Sequence, residues 1–244
     1  MVQLATMVAA AAIELPLRRP HTREQRAEWL HLQCARIVRR LGIKVIQEGQ
    51  FPQSGIVISN HQGYLDIVSF AALHRCVFVS KSEIRSWPLI GWITTMSGTI
   101  YVERGRGGSA KRARAEMHSV PGVPIVFFPE GTSSNGEAIL PFHSGLLANA
   151  LQDRQPVTAA YVRYRLTHDN GPGVSIASAV AYWDDTPLFL HVFRVLGLRG
   201  VEVTLRFASA PIQFSVGADQ RKVAAQQARA AVLQLAAASE PVTA

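Results

Sequence analysis

Gly55-Ile56-Val57-Ile58-Ser59-Asn60-His61-Gln62-Gly63-Tyr64-Leu65-Asp66 is the stretch that decides the fold. A short β-branched run bounded by glycine reads as a buried strand, and the polar residues after it open a helix over about 64–73. Strand, polar loop and helix start together form the kind of unit that carries an active site at the edge of an α/β sheet. In a straight helix five residues turn through about 500°, which would leave His61 and Asp66 about 140° apart. They can meet only if the chain bends between them, and Gly63 supplies the bend. His61 is therefore expected in the loop and Asp66 in the first helical turn, where a carboxylate can set the tautomer and orientation of the imidazole. The same residues also fit a plainer reading: Asn60 as a helix cap, His61 as a solvated loop residue and Asp66 as a first-turn carboxylate favoured by the helix dipole.

A second strand-like run, Val123-Pro124-Ile125-Val126-Phe127-Phe128, ends in the turn Pro129-Glu130-Gly131-Thr132. Two strand ends thus carry polar groups suited to chemistry. Around them, helical periodicity runs over about 22–41, 83–97, 108–119, 143–152, 186–196 and 219–238. Strand-like runs fall near 43–47, 76–80, 99–103, 156–163, 175–182 and 201–207. The alternation predicts an α/β fold with a central, mostly parallel or mixed sheet flanked by helices. No Pro/Gly/Ser-rich linker or repeat divides the 244 residues, so residues 45–244 are expected to form one catalytic domain.

Four blocks in order resemble the glycerolipid acyltransferase family, which includes 1-acylglycerol-3-phosphate acyltransferases. They are Asn60-His61-Gln62-Gly63-Tyr64-Leu65-Asp66, Tyr101-Val102-Glu103-Arg104-Gly105, Phe128-Pro129-Glu130-Gly131-Thr132 and, more loosely, Gln155-Pro156-Val157-Thr158-Ala159-Ala160. The likeness spans about residues 40–210. The fourth block departs from the family by lacking a second proline near Ala159 or Ala160. The resemblance implies acyl transfer from acyl-CoA or acyl-carrier protein to a lysolipid hydroxyl, with no further cofactor and no metal. It implies His61 as general base oriented by Asp66, and Glu130, Gly131 and Thr132 as acceptor-binding residues. Arg104 would offer a planar guanidinium fork to an anionic headgroup, and Lys81, just past a strand, is a second candidate contact. No G-x-S-x-G elbow occurs in the chain, which argues against an esterase with its own serine nucleophile.

By the resemblance the first acceptor expected is 1-acylglycerol-3-phosphate, giving phosphatidic acid. Members of that kind commonly continue Glu-Gly-Thr with arginine, whereas this chain continues Ser133-Ser134-Asn135-Gly136. Together with Tyr182-Trp183-Asp184-Asp185 and His191, that stretch looks more like the branch acylating lyso-ornithine lipids, which stays open as an alternative. Two other classes also stay open. Residues 105–110 formally fit G-x-G-x-x-A after a strand, the fingerprint of a nucleotide-dependent oxidoreductase. A non-catalytic lipid-binding protein of the same fold is the other.

Composition sets the surroundings. The chain is 48% hydrophobic, only 17% charged, and carries a net charge of +8, a balance that fits a membrane-surface protein. Residues 4–13 are apolar but fall short of the roughly 20 needed to span a bilayer. Between positions 18 and 44 eight basic residues face only Glu24 and Glu28, interleaved with Trp29, Leu30, Ile37 and Val38. Residues 1–44 are therefore expected to form a membrane-associating helical segment that buries those four side chains among headgroups and holds anionic lipids. The expected location is the cytoplasmic face of the membrane, peripheral or monotopic. Nucleic acid is not an expected partner, since no aromatic stripe or binding module accompanies the charge. Cys34 and Cys76, in no metal-like spacing, read as two reduced, packed thiols.

Overall fold

The structure, a computed structural model, describes residues 20–87, 90–103, 114–117 and 122–238. Its centre is a seven-stranded sheet in the order β1-β7-β6-β2-β5-β3-β4. The strands are β1 (Lys44–Glu48), β2 (Ile56–Ile58), β3 (Val77–Lys81), β4 (Ile100–Val102), β5 (Ile125–Phe127), β6 (Val157–Leu166) and β7 (Val201–Phe207). All neighbouring pairs are parallel except β6 with β7. The strands β6, β2, β5, β3 and β4 therefore point their C-terminal ends toward one edge.

Helices α1 (Arg23–Leu41), α2 (Tyr64–Leu73), α3 (Ile90–Met96), α4 (Gly145–Gln152), α5 (Leu188–Gly197) and α6 (Arg221–Ala237) surround the sheet. Alternation along the central strands splits their side chains between two cores. Val57, Phe78 and Val126 pack with Trp29, Leu30, Phe70 and Leu205. Ile56, Ile58, Val77, Ile125 and Phe127 pack with Leu147, Ala224 and Val232. Because both faces are covered, β2 is an unbroken apolar run, as expected of a central parallel strand.

Helix α1 shows how local chemistry sets an element. Thr22 caps its start, accepting from the Gln25 amide while the Gln25 side chain accepts from the Thr22 amide. At its end Gly42 takes a left-handed conformation and donates to the Arg39 and Val38 carbonyls. The expectation that Trp29 and Leu30 lie among lipid headgroups is corrected: both are buried in the same core as the sheet, with α1 packed along α2. Ile37 and Val38 are only half-buried. Among the described basic residues, Arg23 pairs with Glu116, Lys44 pairs with Glu202, and Arg26 donates to the Pro20 and Thr95 carbonyls, so these three charges are turned to the protein. Residues 1–19 lie outside the described residues.

Two other expectations change. The strand anticipated over 175–182 is a π-type turn, Ile176–Val180, in which Ser175 and Ser178 cap one another. Strand β6 already has a partner on each side, so no open position beside it remains for that segment. The helix anticipated over 83–97 divides into a 3₁₀ turn, Ser82–Ser86, and α3. Trp87 is extended between them, as a residue before proline prefers. The helix anticipated over 108–119 is described only at residues 114–117, which are helical.

The burial of Trp29 makes a direct prediction. Trp29→Ala should lower unfolding stability by about 3–5 kcal/mol in urea titration without lipid. An unchanged midpoint would mean that this side chain is not part of the core.

Candidate active site

At the end of β2 the chain leaves the sheet but stays tied to it. The Asn60 side chain takes the place of a ladder residue, accepting from the Val162 amide at 2.8 Å and donating to the Val162 carbonyl at 3.0 Å. The backbone of His61 is then held from the neighbouring β5 turn. Its amide donates to Glu130 Oε1 at 3.0 Å, and its carbonyl accepts from the Ser134 amide at 2.9 Å. Gly63 makes the bend, with φ of 150°, and a Cβ there would come within 2.9 Å of Tyr182 Cβ. The Gln62 carbonyl accepts from the Tyr182 amide at 2.7 Å, which closes the loop against the later chain.

This loop brings His61 onto Asp66 in the first turn of α2. His61 Nδ1 lies 2.7 Å from Asp66 Oδ2. The same oxygen accepts from the Gln62 and Gly63 amides at 2.6 and 3.1 Å, and Oδ1 accepts from the Tyr164 hydroxyl at 2.6 Å. Asp66 has no solvent exposure, so these donors take the place of water around its carboxylate. Burial, and then the adjacent Asp66, push the Tyr164 hydroxyl well above its ordinary pKa, so it remains a donor. The His61 ring stacks on Phe128 at 4.1 Å and 12°. With Nδ1 directed at the carboxylate and the side chain 19% exposed, Nε2 is the nitrogen left to meet a reactant. An imidazole pinned in this way can take a proton at Nε2 while its charge is balanced at Nδ1.

Glu130 stands differently from its expected role at an acceptor. It is buried, with Oε1 accepting from the His61 amide and Oε2 from the Leu140 amide at 3.2 Å. Burial raises its pKa to about 7 against the lowering effect of those two bonds. Gly131 turns the chain at φ of 66° and donates to the Phe128 carbonyl, while Thr132 beside it is exposed. Lys81 is the exposed last residue of β3, in register with Val102 at the end of β4. It lies at the same sheet edge, two strands from β2, or roughly 10 Å across the sheet. Arg104, two residues past β4, lies outside the described residues, as do residues 105–110.

Tyr164, Phe128 and the Asn60 clamp carry weight here that reading along the chain does not reveal. A further support reaches the loop from α5. Buried His191 donates through Nε2 to the Ala181 carbonyl at 2.9 Å and accepts at Nδ1 from the Tyr64 hydroxyl at 3.0 Å. Burial holds His191 below its ordinary pKa, which suits the neutral ring that this pair of bonds requires.

Residues 42–163 match the family model described as Acyltransferase. The chain is 33% identical to the lyso-ornithine lipid O-acyltransferase of Rhodobacter capsulatus, over 81% of this chain and 72% of that protein. It is 34% identical to the lyso-ornithine lipid O-acyltransferase of Pseudomonas aeruginosa, over 93% and 82%. Identity to the 1-acyl-sn-glycerol-3-phosphate acyltransferase of Neisseria gonorrhoeae is 32%, over 47% and 46%. The crystal structure of the 1-acyl-sn-glycerophosphate acyltransferase PlsC from Thermotoga maritima matches with a TM-score of 0.58 over 98% of this chain and 91% of that one. At 18% identity that match speaks to the fold.

The raised Glu130 pKa gives a pH prediction with a definite sign. A folded-state pKa of about 7 against an ordinary 4.5 means that the native state binds the extra proton between those values. Stability should then decline as pH rises from about 4.5 to about 7. In thermal unfolding across that range, wild type should lose stability relative to Glu130→Gln as pH increases. Parallel curves for the two proteins would show that Glu130 is not perturbed.

Proposed function

Since the chain belongs to the acyltransferase family and acts on lysolipids, we propose that it is a lyso-ornithine lipid O-acyltransferase using acyl-CoA or acyl-carrier protein. The observation that carries the acceptor is coverage: lyso-ornithine enzymes align over 81% and 93% of the chain. The 1-acylglycerol-3-phosphate enzyme of Neisseria aligns over 47%. Formation of phosphatidic acid is the second reading, supported by that 32% identity across the shared blocks. The nucleotide-dependent oxidoreductase and the non-catalytic lipid binder fall away with the family.

In the proposed reaction, His61 Nε2 removes the proton from the acceptor hydroxyl as its oxygen attacks the thioester carbonyl. Asp66 stabilises the imidazolium through Nδ1, and Tyr164 with the Gln62 and Gly63 amides holds Asp66 in place. Collapse of the tetrahedral species expels the thiolate, which takes the proton back from His61. The lipid hydroxyl is the nucleophile, so no acyl-enzyme forms. Glu130 and Gly131 act through the His61 backbone and the turn. Thr132 and Lys81 face the headgroup, and Arg104 is its proposed charged partner, since a guanidinium can pair with a carboxylate or a phosphate. The enzyme works on the cytoplasmic membrane face.

His61→Ala should cut kcat by about 10²–10⁴-fold, the range of a lost general base, with the fold intact. Asp66→Asn should retain more turnover than His61→Ala. Near-normal kcat in His61→Ala would remove His61 from the chemistry. Arg104→Lys should raise the acceptor KM much more than the donor KM, and equal effects on both would place Arg104 outside the headgroup site. An acyl-transfer assay on a panel of lysolipids decides the acceptor. Turnover of lysophosphatidic acid and none of lyso-ornithine lipid would replace the first reading by the second.

A further inference from the structure

Large apolar side chains stand exposed in one short run of the chain: Trp183 at 49%, Phe189 at 62%, Leu190 at 48% and Phe193 at 44%. Helix α5 has its buried residues, His191 and Val195, on the side facing the protein. Phe189, Leu190 and Phe193, related by three and four residues, form the outward side. The indole N–H of Trp183 donates to the Ala177 carbonyl at 2.9 Å, so the exposed part of that ring is hydrocarbon. An aromatic patch of this kind on a protein surface marks a contact site.

Its occupant follows from what it is attached to. Tyr182, next to Trp183, donates its amide to Gln62 and touches Gly63, and His191 of α5 accepts from Tyr64. The patch is thus fixed to the loop that carries His61, whose acceptor is a membrane lipid. Exposed Arg194 and Arg199 sit on and just beyond the helix, a polarity that suits anionic headgroups. Asp184 and Asp185 lie at the other end, where Asp184 accepts from the Thr186 amide. No described helix is long and apolar enough to cross a membrane, and Trp29 and Leu30 of α1 are used in the core.

We propose that Trp183, Phe189, Leu190 and Phe193 form a docking face that seats in the interfacial layer of an anionic bilayer and presents the His61 loop to lipids of that leaflet. The choice of a bilayer rests on the lysolipid reading, whereas the test reads insertion and not turnover. Both native cysteines are buried, and burial pushes the Cys34 thiol up to about 12 and raises that of Cys76. A thiol fluorophore can therefore be placed selectively on Phe193→Cys or Leu190→Cys. Ser54→Cys, exposed just before β2 and so at the opposite sheet edge, serves as the control.

The full chain is bound to phosphatidylglycerol/phosphatidylcholine vesicles carrying brominated acyl chains. Labels at 193 and 190 should be quenched by the lipid and shielded several-fold from aqueous iodide, while the label at 54 stays open to iodide. Equal iodide access at 193, 190 and 54 in vesicle-bound protein would overturn the proposal, as would failure to bind these vesicles. Shielding at 193 without vesicles, together with a doubled mass in solution, would assign the face to a second copy of the chain instead. Lipid quenching at 193 in a protein that acylates no lysolipid would leave the docking face standing and overturn the enzymatic reading alone.

Discussion

The carboxylate of Asp66 is the point on which the rest of the site depends. A carboxylate with no solvent contact is costly unless its lone pairs are met by donors. Here the donors come from parts of the chain far apart in sequence: two amides of the Gly63 bend, the His61 ring, and the Tyr164 hydroxyl from β6. Satisfying one buried group therefore fixes the loop, the start of α2 and their distance from β6 at once. The imidazole orientation is a consequence of that arrangement, reinforced by the Phe128 ring from the end of β5.

Parallel strand direction does the second part of the work. Because β2, β5, β3 and β4 run the same way, the residues after each of them emerge along one edge. His61 follows β2, Glu130 follows β5, and Lys81 ends β3. The β5 turn does not present Glu130 to the edge. It turns the carboxyl inward and uses it to hold the His61 amide, at a cost in desolvation seen in the raised pKa. That makes the second block of the chain a support for the first, and leaves Thr132 and Lys81 exposed at that edge.

The surfaces divide in a similar way. Helix α1 has the amphipathic, basic pattern of an interfacial helix, yet its apolar side belongs to the core and part of its charge is paired internally. Helix α5 leaves its aromatic side uncovered, while His191 and Tyr182 tie its protein side to the His61 loop.

What could be read along the chain was what depends on near neighbours. The α/β class, most helices and strands, and the meeting of His61 with Asp66 across a glycine bend all follow from local period, branching and turn chemistry. So does the strand end that carries Glu130-Gly131-Thr132. What could not be read depended on which distant segment supplies a partner. A β-period places Tyr164 on the same side of β6 as Val162, but only the pairing of β6 with β2 sets it over Asp66. The inward turn of Glu130 depends on the Leu140 and His61 amides meeting it from two loops. The apolar pattern of α1 serves lipid and protein equally well, and it was the packing against α2 that decided between them. Residues 175–182 have the composition of a strand, but β6 is already paired on both sides, and the mutual capping of Ser175 and Ser178 closes the segment into a turn instead.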